Sequence, residues 1–338
     1  MTRPLPPEWM ELQSVIAEVR PHAQHRVAAR IDDRGNSLPV DVICLGTAQP
    51  DAPAVGYFAG VHGLERIGVR IVTSYLRSLA RRLRWDVTLH RQLEQVRLVF
   101  MPLVNPGGLL RGTRANPHGV DLMRNSPVEA EEPVPWLIGG HRISPSLPWY
   151  RGAHGSAMQI ESAALCEVVE AELLSRPFSI ALDCHSGFGA VDRIWFPHAH
   201  TIRPIEALPD VHALGEIFDL CHPHHRYVME PQSRQYLTHG DLWDHLVLRA
   251  QARARVFLPL TLEMGSWIWV KKNPRQLFRR DGLFNPIVEH RLQRVHRRHV
   301  AWFDFLARAA ASHAHWLPRG DERVHRRDLG LARWYGAT

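Results

Sequence analysis

A histidine and a carboxylate stand three positions apart, directly after an apolar run in the sequence. The run Val55–Val61 is typical of a buried strand, and it leads straight into His62 and Glu65. Gly60 and Gly63 allow the backbone to turn at that point. An imidazole and a carboxylate at such a corner can bind one divalent metal ion, but they need a third ligand from elsewhere in the chain.

Two other apolar runs also end in reactive side chains. Phe178–Asp183 is followed by a short segment that contains His185, and Arg255–Leu262 is followed by Glu263. In open α/β sheets, ligands bind at the edge formed by the carboxyl ends of the strands. We therefore expect these residues to meet the His62 corner at one edge of a sheet.

The three candidate ligands are His62, Glu65 and His185. Two histidines and one glutamate form a ligand set typical of catalytic zinc, with a fourth position left for water. Cobalt, manganese and iron are compatible with the same set. Because the chain has 22 histidines, a hydrogen-bonded structural pair is the alternative interpretation of the His62–Glu65 spacing. For Glu263, the alternative is a strand-end carboxylate in an ion pair.

The elements that must position these residues follow from hydrophobic periodicity. A strand, a helix and a further strand in succession predict a right-handed crossover and a largely parallel sheet. Strands are predicted at 26–32, 38–45, 55–61, 96–104, 178–183, 193–196 and 255–262. Helices are predicted at 8–20, 67–83, 157–174, 207–220, 240–252 and 285–313.

The chain shows no internal repeat or clear linker, so we expect a single domain over residues 1–338, with its core at about 25–312. Residues 126–150 are rich in proline and lack periodicity. A loop of that length is usually a functional rim or lid, although a tolerated surface insertion is the alternative. Residues 316–338 read as a polar, basic tail.

The composition limits the location and the partners of the protein. The formal charge of +7 comes mainly from arginines that are spread along the chain among acids, and no nucleic-acid-binding motif accompanies them. The four cysteines form no metal-binding or disulfide pattern, which is typical of a cytoplasmic protein. No apolar run reaches the ~20 residues that span a bilayer. We expect neither nucleic-acid nor membrane binding.

Two arginine-containing motifs lie between the candidate ligands, namely Arg111-Gly-Thr-Arg114 and Gly119-Val-Asp121-Leu-Met123-Arg124-Asn125. Together with the residues above, the chain contains HxxE, RxxR, GVDxxRN, DCHS, YxxxG and TLE in that order. This ordered set, from about residue 55 to 265, resembles that of the zinc metallocarboxypeptidases. The resemblance implies a three-layer α/β/α fold with a mixed, mostly parallel sheet of about eight strands.

The resemblance also implies roles for the residues near the metal. His62, Glu65 and His185 would bind one zinc ion per chain. Asp121 would orient one of the histidine ligands. Arg111 would polarise the scissile carbonyl group, and Glu263 would act as general base and acid.

Four further residues would bind the substrate if the resemblance holds. Arg124, followed by Asn125, would pair with a substrate carboxylate. Tyr236 would close over the substrate, and Trp243 would lie at the base of the side-chain pocket. For that pocket, a register shift that brings Asp241 or Asp244 to its wall is the alternative.

The chain departs from the family at Met123, where an asparagine is usual, so one hydrogen-bond donor to a substrate carboxylate is missing. The predicted function is a zinc-dependent hydrolase that cleaves an amide or peptide bond next to a carboxylate-bearing group, with a peptide or an acylated amino acid as substrate. The alternatives are an N-acyl amino-acid deacylase of the aspartoacylase or desuccinylase kind and a non-catalytic binding protein with the same fold.

Overall fold

The computed structural model describes residues 4–279 and 281–336. These residues build an eight-stranded sheet with the strand order β1-β2-β4-β3-β5-β8-β6-β7. The strands are β1 (Gln24–Asp33), β2 (Asn36–Gly46), β3 (Ala54–Ala59), β4 (Arg97–Met101), β5 (Phe178–Ser186), β6 (Arg193–Phe196), β7 (Val228–Pro231) and β8 (Val256–Met264).

The centre of the sheet is parallel. Strands β4, β3, β5 and β8 run in the same direction, whereas β2 and β6 pair with this group in the antiparallel sense. The expected mixed, mostly parallel sheet is therefore confirmed. Because parallel strands end at the same edge, the segments that follow β3, β5 and β8 lie next to one another.

Helices cover both faces of the sheet, as expected for three layers. Alternate residues of β3 point to opposite faces, with Val55 and Tyr57 in one apolar core and Ala54 and Phe58 in the other. The helices are α1 (Pro7–Val19), α2 (Arg66–Arg82), α3 (Val87–Leu93), α4 (Pro106–Arg111), α5 (Ile160–Glu172), α6 (Leu208–Cys221), α7 (Leu242–Gln251), α8 (Trp267–Lys272), α9 (Glu289–Ala311), α10 (His313–Trp316) and α11 (Gly320–Trp334).

Most predicted elements coincide with observed ones to within a few residues, but five short elements were not predicted. The helices α3, α4, α8 and α10 have seven residues or fewer, and the edge strand β7 has four. Such segments are too short to show a hydrophobic period. Strand β5 also extends three residues beyond its predicted end, which places His185 within the strand.

The C-terminal segment differs from the expected polar tail. Residues 320–334 form helix α11, and the last two residues of the chain lie outside the described part. Trp334 is buried against Phe196 at a ring-centroid distance of 4.8 Å, and its indole N–H donates to the carbonyl of Met229 at 2.7 Å. Trp334, with Leu331 beside it, therefore packs helix α11 against the core of the protein.

We predict that Trp334→Ala lowers the free energy of unfolding by about 3–5 kcal/mol, because it removes a buried aromatic side chain. Urea unfolding followed by circular dichroism would measure the change. Leu329→Ala on the same helix, where the side chain is partly exposed, should stay within about 0.5 kcal/mol of the wild type. Equal effects of the two substitutions would contradict this packing.

Candidate metal centre and substrate pocket

The corner after β3 is held by a close approach of two loops. Gly60 has a left-handed backbone with φ +65°, and Glu65 stands directly before the first turn of α2. At Gly63, an added Cβ atom would lie only 2.0 Å from a backbone carbon of Gly108 in α4. Asn105 fastens the same contact, since its side chain donates to the carbonyl of Val61 at 3.2 Å. The corner is thus fixed by backbone packing.

The three candidate ligands converge on one point. His62 Nδ1 lies 2.8 Å from one carboxylate oxygen of Glu65, and His185 Nδ1 lies 3.1 Å from the other. The two Nδ1 atoms are 3.2 Å apart. All three side chains are buried, and their ligand atoms lie within 4.8 Å of one another, so the group could hold a metal ion.

The opposite ring nitrogens fix the tautomers of both histidines. His62 Nε2 lies 3.1 Å from Asp121 Oδ1, and His185 Nε2 lies 2.7 Å from Asp183 Oδ2. A carboxylate can only accept, so Nε2 carries a proton in each ring. Both Nδ1 atoms also face a carboxylate, that of Glu65, so a bound metal ion would take the place of any proton there and receive the two Nδ1 lone pairs.

The charge balance of the buried cluster also fits a divalent cation. The cluster contains four carboxyl groups but only two guanidinium groups. Its members are Glu65, Asp121, Asp183, Glu263, Arg114 and Arg124. A divalent ion would offset this excess of acidic groups, and the nitrogen and oxygen donor set suits zinc.

Glu263 lies beside the ligand set. It pairs with His185 in the register of β5 and β8, and it lines the same cavity. Burial raises the pKa of Glu263 to about 8, and the nearby Glu65 carboxylate acts in the same direction. Its Oε2 atom is buried without a hydrogen-bond partner among the described residues, so an ion pair does not account for this carboxylate.

The structure places Arg111 away from the cavity, in contrast to its expected role at the scissile carbonyl. Its side chain donates to Asp33 at 2.5 and 2.9 Å and to the carbonyl of Pro117 at 2.9 Å. Arg114, the second arginine of the RxxR motif, lines the cavity instead. It donates to Asp121 at 2.9 Å and to Glu65 at 3.3 Å.

Arg124 and Tyr236 both line the cavity, as the expected substrate contacts require. Arg124 donates through Nε to the carbonyl of Ile138 and through Nη1 to Asp121, which leaves Nη2 for a ligand. Although burial opposes it, Arg114 and Arg124 hold the pKa of Asp121 well below its usual range. Asp121 therefore anchors both arginines and one histidine.

Asn125 and Trp243, which were expected to bind the substrate, use their polar groups in contacts within the protein. Asn125 is buried, and its amide group is used by the backbone of Gln159 and Arg151, at 2.5 and 2.9 Å. Trp243 is also buried, and its indole N–H donates to Asp183 at 3.0 Å. Neither residue is among those that line the cavity, because helix α7 turns Trp243 towards β5.

The cavity has a volume of about 670 Å³, and its wall combines residues singled out in the sequence with aromatic side chains that were not. Asp241 reaches its wall, and burial raises the pKa of this carboxyl group to about 7, with Asp244 acting in the same direction. Met123 also lines the cavity. Segment 126–150 contributes Pro135, Ile138, Pro148 and Trp149, and the other aromatic lining residues are Phe188, Trp195, Trp267 and Phe284.

The fold and the family were compared with known proteins. The sequence model of the zinc carboxypeptidase family matches residues 24–253. Bovine thrombin-activatable fibrinolysis inhibitor, solved in complex with tick carboxypeptidase inhibitor, is 15% identical with a TM-score of 0.64, over 90% of this chain and 96% of that one. Carboxypeptidase A from Helicoverpa armigera is 18% identical with a TM-score of 0.64, over 90% and 72%. These two likenesses show a common fold.

No curated protein matches the chain in sequence. In the described part of the chain, no helix is long and apolar enough to cross a membrane. The cysteines Cys44, Cys166, Cys184 and Cys221 are all free, as expected.

The family match covers more than half of the chain, and the sheet and the buried His-Glu-His group agree with it. The chain therefore belongs to the zinc carboxypeptidase family of hydrolases.

Proposed function

We propose that this protein is a zinc-dependent hydrolase that cleaves a peptide or other amide bond next to a carboxylate-bearing group. The observation that carries the proposal is the shared cavity. It brings together His62, Glu65 and His185, the buried carboxylate of Glu263 and two arginines. A metal-ligand set, a base and fixed positive charge within one cavity are what hydrolysis of an amide requires.

Glu263 is the proposed general base. When bound, zinc makes a water molecule acidic enough to attack near neutral pH. Glu263 accepts the proton of the attacking water and returns it to the leaving amine. Burial keeps this carboxylate away from bulk solvent. Its Oε2 atom has no hydrogen-bond partner among the described residues, so it can accept the proton without first breaking another hydrogen bond.

Arg114 is the proposed oxyanion-stabilising group, in place of Arg111. Its guanidinium group is held by Asp121 and Glu65 and borders the cavity. A cation fixed before the reaction stabilises the negative charge that develops on the carbonyl oxygen without having to reorganise.

Arg124 is the proposed partner of the substrate carboxylate. It is buried, it is held by two hydrogen bonds, and it borders the cavity together with Tyr236. The aromatic lining residues would accept an apolar part of the substrate. Met123 supplies no hydrogen bond to the carboxylate, so an N-acyl amino-acid deacylase remains the competing function.

We expect about one zinc ion per purified chain, and we expect Glu263→Gln to keep the metal but to lose hydrolysis by a factor of about 10² or more. The amide is of the same size but cannot accept the proton. Elemental analysis and an assay with blocked dipeptides would test this. Full activity of the variant would contradict the mechanism, and a wild type that binds metal but hydrolyses neither blocked dipeptides nor N-acyl amino acids would favour a binding protein.

For the arginine pair, we predict that Arg114→Ala lowers kcat by about 10²–10³-fold, since it removes charge at the developing oxyanion. Arg111→Ala is the matched control from the same motif. It should lower the thermal stability through the loss of the Asp33 ion pair and leave kcat within a few-fold of the wild type. The reverse pattern would restore the role first expected of Arg111.

Replacing Arg124 with glutamine should lower kcat/KM roughly 10- to 100-fold for substrates with a free carboxylate, because a charged hydrogen bond is lost. For substrates with an amidated carboxylate, the wild type should have a low kcat/KM, and the variant should have the same kcat/KM as the wild type. Steady-state kinetics on blocked dipeptides and N-acyl amino acids would show which class is preferred. Equal losses on the free and the amidated substrates would contradict carboxylate binding by Arg124.

A further inference from the structure

We propose that Asp183 and Trp243 form a clamp that orients His185 and sets how tightly the site binds its metal. This inference rests on the metal site of the proposed function, but it assigns roles to two residues that touch neither substrate nor metal. Both act as positioning residues, through the imidazole ring of His185.

The clamp consists of two hydrogen bonds to one oxygen atom. His185 Nε2 lies 2.7 Å from Asp183 Oδ2, and Trp243 Nε1 donates to the same oxygen at 3.0 Å. Asp183 and His185 are two residues apart on β5, so their side chains share one face of the sheet. The strand geometry alone therefore brings the carboxylate to the imidazole, and the indole fixes which way the carboxylate faces.

The indole is itself held rigidly. Trp243 is 3% exposed and lies edge-on to Phe58 at a centroid distance of 5.2 Å, with Phe257 at 6.4 Å. It belongs to the apolar core on the side of the sheet that faces α5 and α7. A close-packed side chain of this kind loses little freedom when it donates a hydrogen bond, so it can fix the rotamer of Asp183.

The two histidine ligands differ in their outer partners. The carboxylate behind His62, that of Asp121, is compensated by Arg114 and Arg124. Among the described residues, Asp183 forms an ion pair with His185 and with no arginine or lysine, and its Oδ1 atom has no hydrogen-bond partner. Within the part of the chain that the structure describes, the carboxylate of Asp183 is therefore partnered only by the His185 imidazole and the neutral Trp243 indole.

This asymmetry has a chemical consequence. A buried carboxylate without a cationic partner is costly, and a metal ion on the far side of the ring would supply the missing positive charge. In return, a carboxylate that accepts a hydrogen bond from Nε2 increases the electron donation of the His185 imidazole to a metal ion. The charge that Asp183 retains thus acts on the metal through a single ring.

The test measures metal binding rather than activity. Zinc dissociation constants would be determined by competition with a chromogenic chelator, and the absorption spectrum of the cobalt-substituted chain would report the ligand geometry. Asp183→Asn should weaken zinc binding about 10–100-fold and change the cobalt spectrum. Trp243→Phe should weaken it roughly 2- to 10-fold, since it removes one of the two hydrogen bonds that orient the Asp183 carboxylate but leaves its charge in place.

The double variant separates a clamp from two independent effects. Because Trp243 acts through Asp183, the double variant should bind zinc no more weakly than Asp183→Asn alone. Trp302→Phe is a matched control, since Trp302 is buried and its indole nitrogen has no hydrogen-bond partner among the described residues. Asp210→Asn, at a buried aspartate paired with Arg323, is the control for the charge change. Both controls should bind zinc within twofold of the wild type.

Several results would overturn the clamp. The clamp is wrong if both variants bind zinc as tightly as the wild type and have its cobalt spectrum. A lower thermal stability in chelator would then indicate a purely structural role. Additive losses in the double variant would also overturn the clamp. If Asp183→Asn does not fold, Trp243→Phe alone decides the matter. If the wild-type chain binds no divalent metal, both the proposed function and the clamp are wrong. If it binds metal but the variants bind equally well, only the clamp is wrong.

Discussion

The site depends on the burial of negative charge around one point. Two imidazole Nδ1 atoms and a carboxylate face each other within hydrogen-bond distance, and further carboxylates stand behind both rings. So many buried carboxylates are costly unless positive charge balances them. Two arginines supply part of that charge from one side through Asp121. A bound metal ion would supply more of it, and would thereby couple metal binding to the stability of this part of the fold.

The sheet imposes this arrangement with few degrees of freedom. Strands β3, β5 and β8 are parallel neighbours, so their carboxyl ends reach one edge in a fixed register that sets His185 opposite Glu263. A shift of either strand by one residue would turn one of these side chains to the opposite face. The metal ligands and the proposed base are therefore related by backbone hydrogen bonds, whereas the arginines depend on the loop between Asn105 and Asp121.

Hydrophobic periodicity predicted seven of the eight strands, the parallel centre of the sheet and the strand ends that carry His62, His185 and Glu263, but it missed the four-residue edge strand β7. Side-chain direction outside regular elements was not predictable in this way. Arg111 and Arg114 are three residues apart, and the left-handed Gly112 between them turns one towards Asp33 and the other towards the cavity. The partner Asp33 is remote in sequence, so no local pattern indicates it. The C-terminal helix α11 was missed because its first half is almost entirely charged and its apolar residues, such as Leu331 and Trp334, are concentrated near its end.

The contact between Gly63 and Gly108 joins the metal-ligand corner to the helix that precedes the arginine loop. Backbone touches backbone there, with no room for even a methyl group between the two chain segments. Gly63 and Gly108 are 45 residues apart in the chain, yet a shift of one segment would displace the other as well. Substitutions that aim to change substrate preference through the arginine loop therefore have to keep this contact. A larger residue at Gly63 would push the two segments apart and displace the metal-ligand corner.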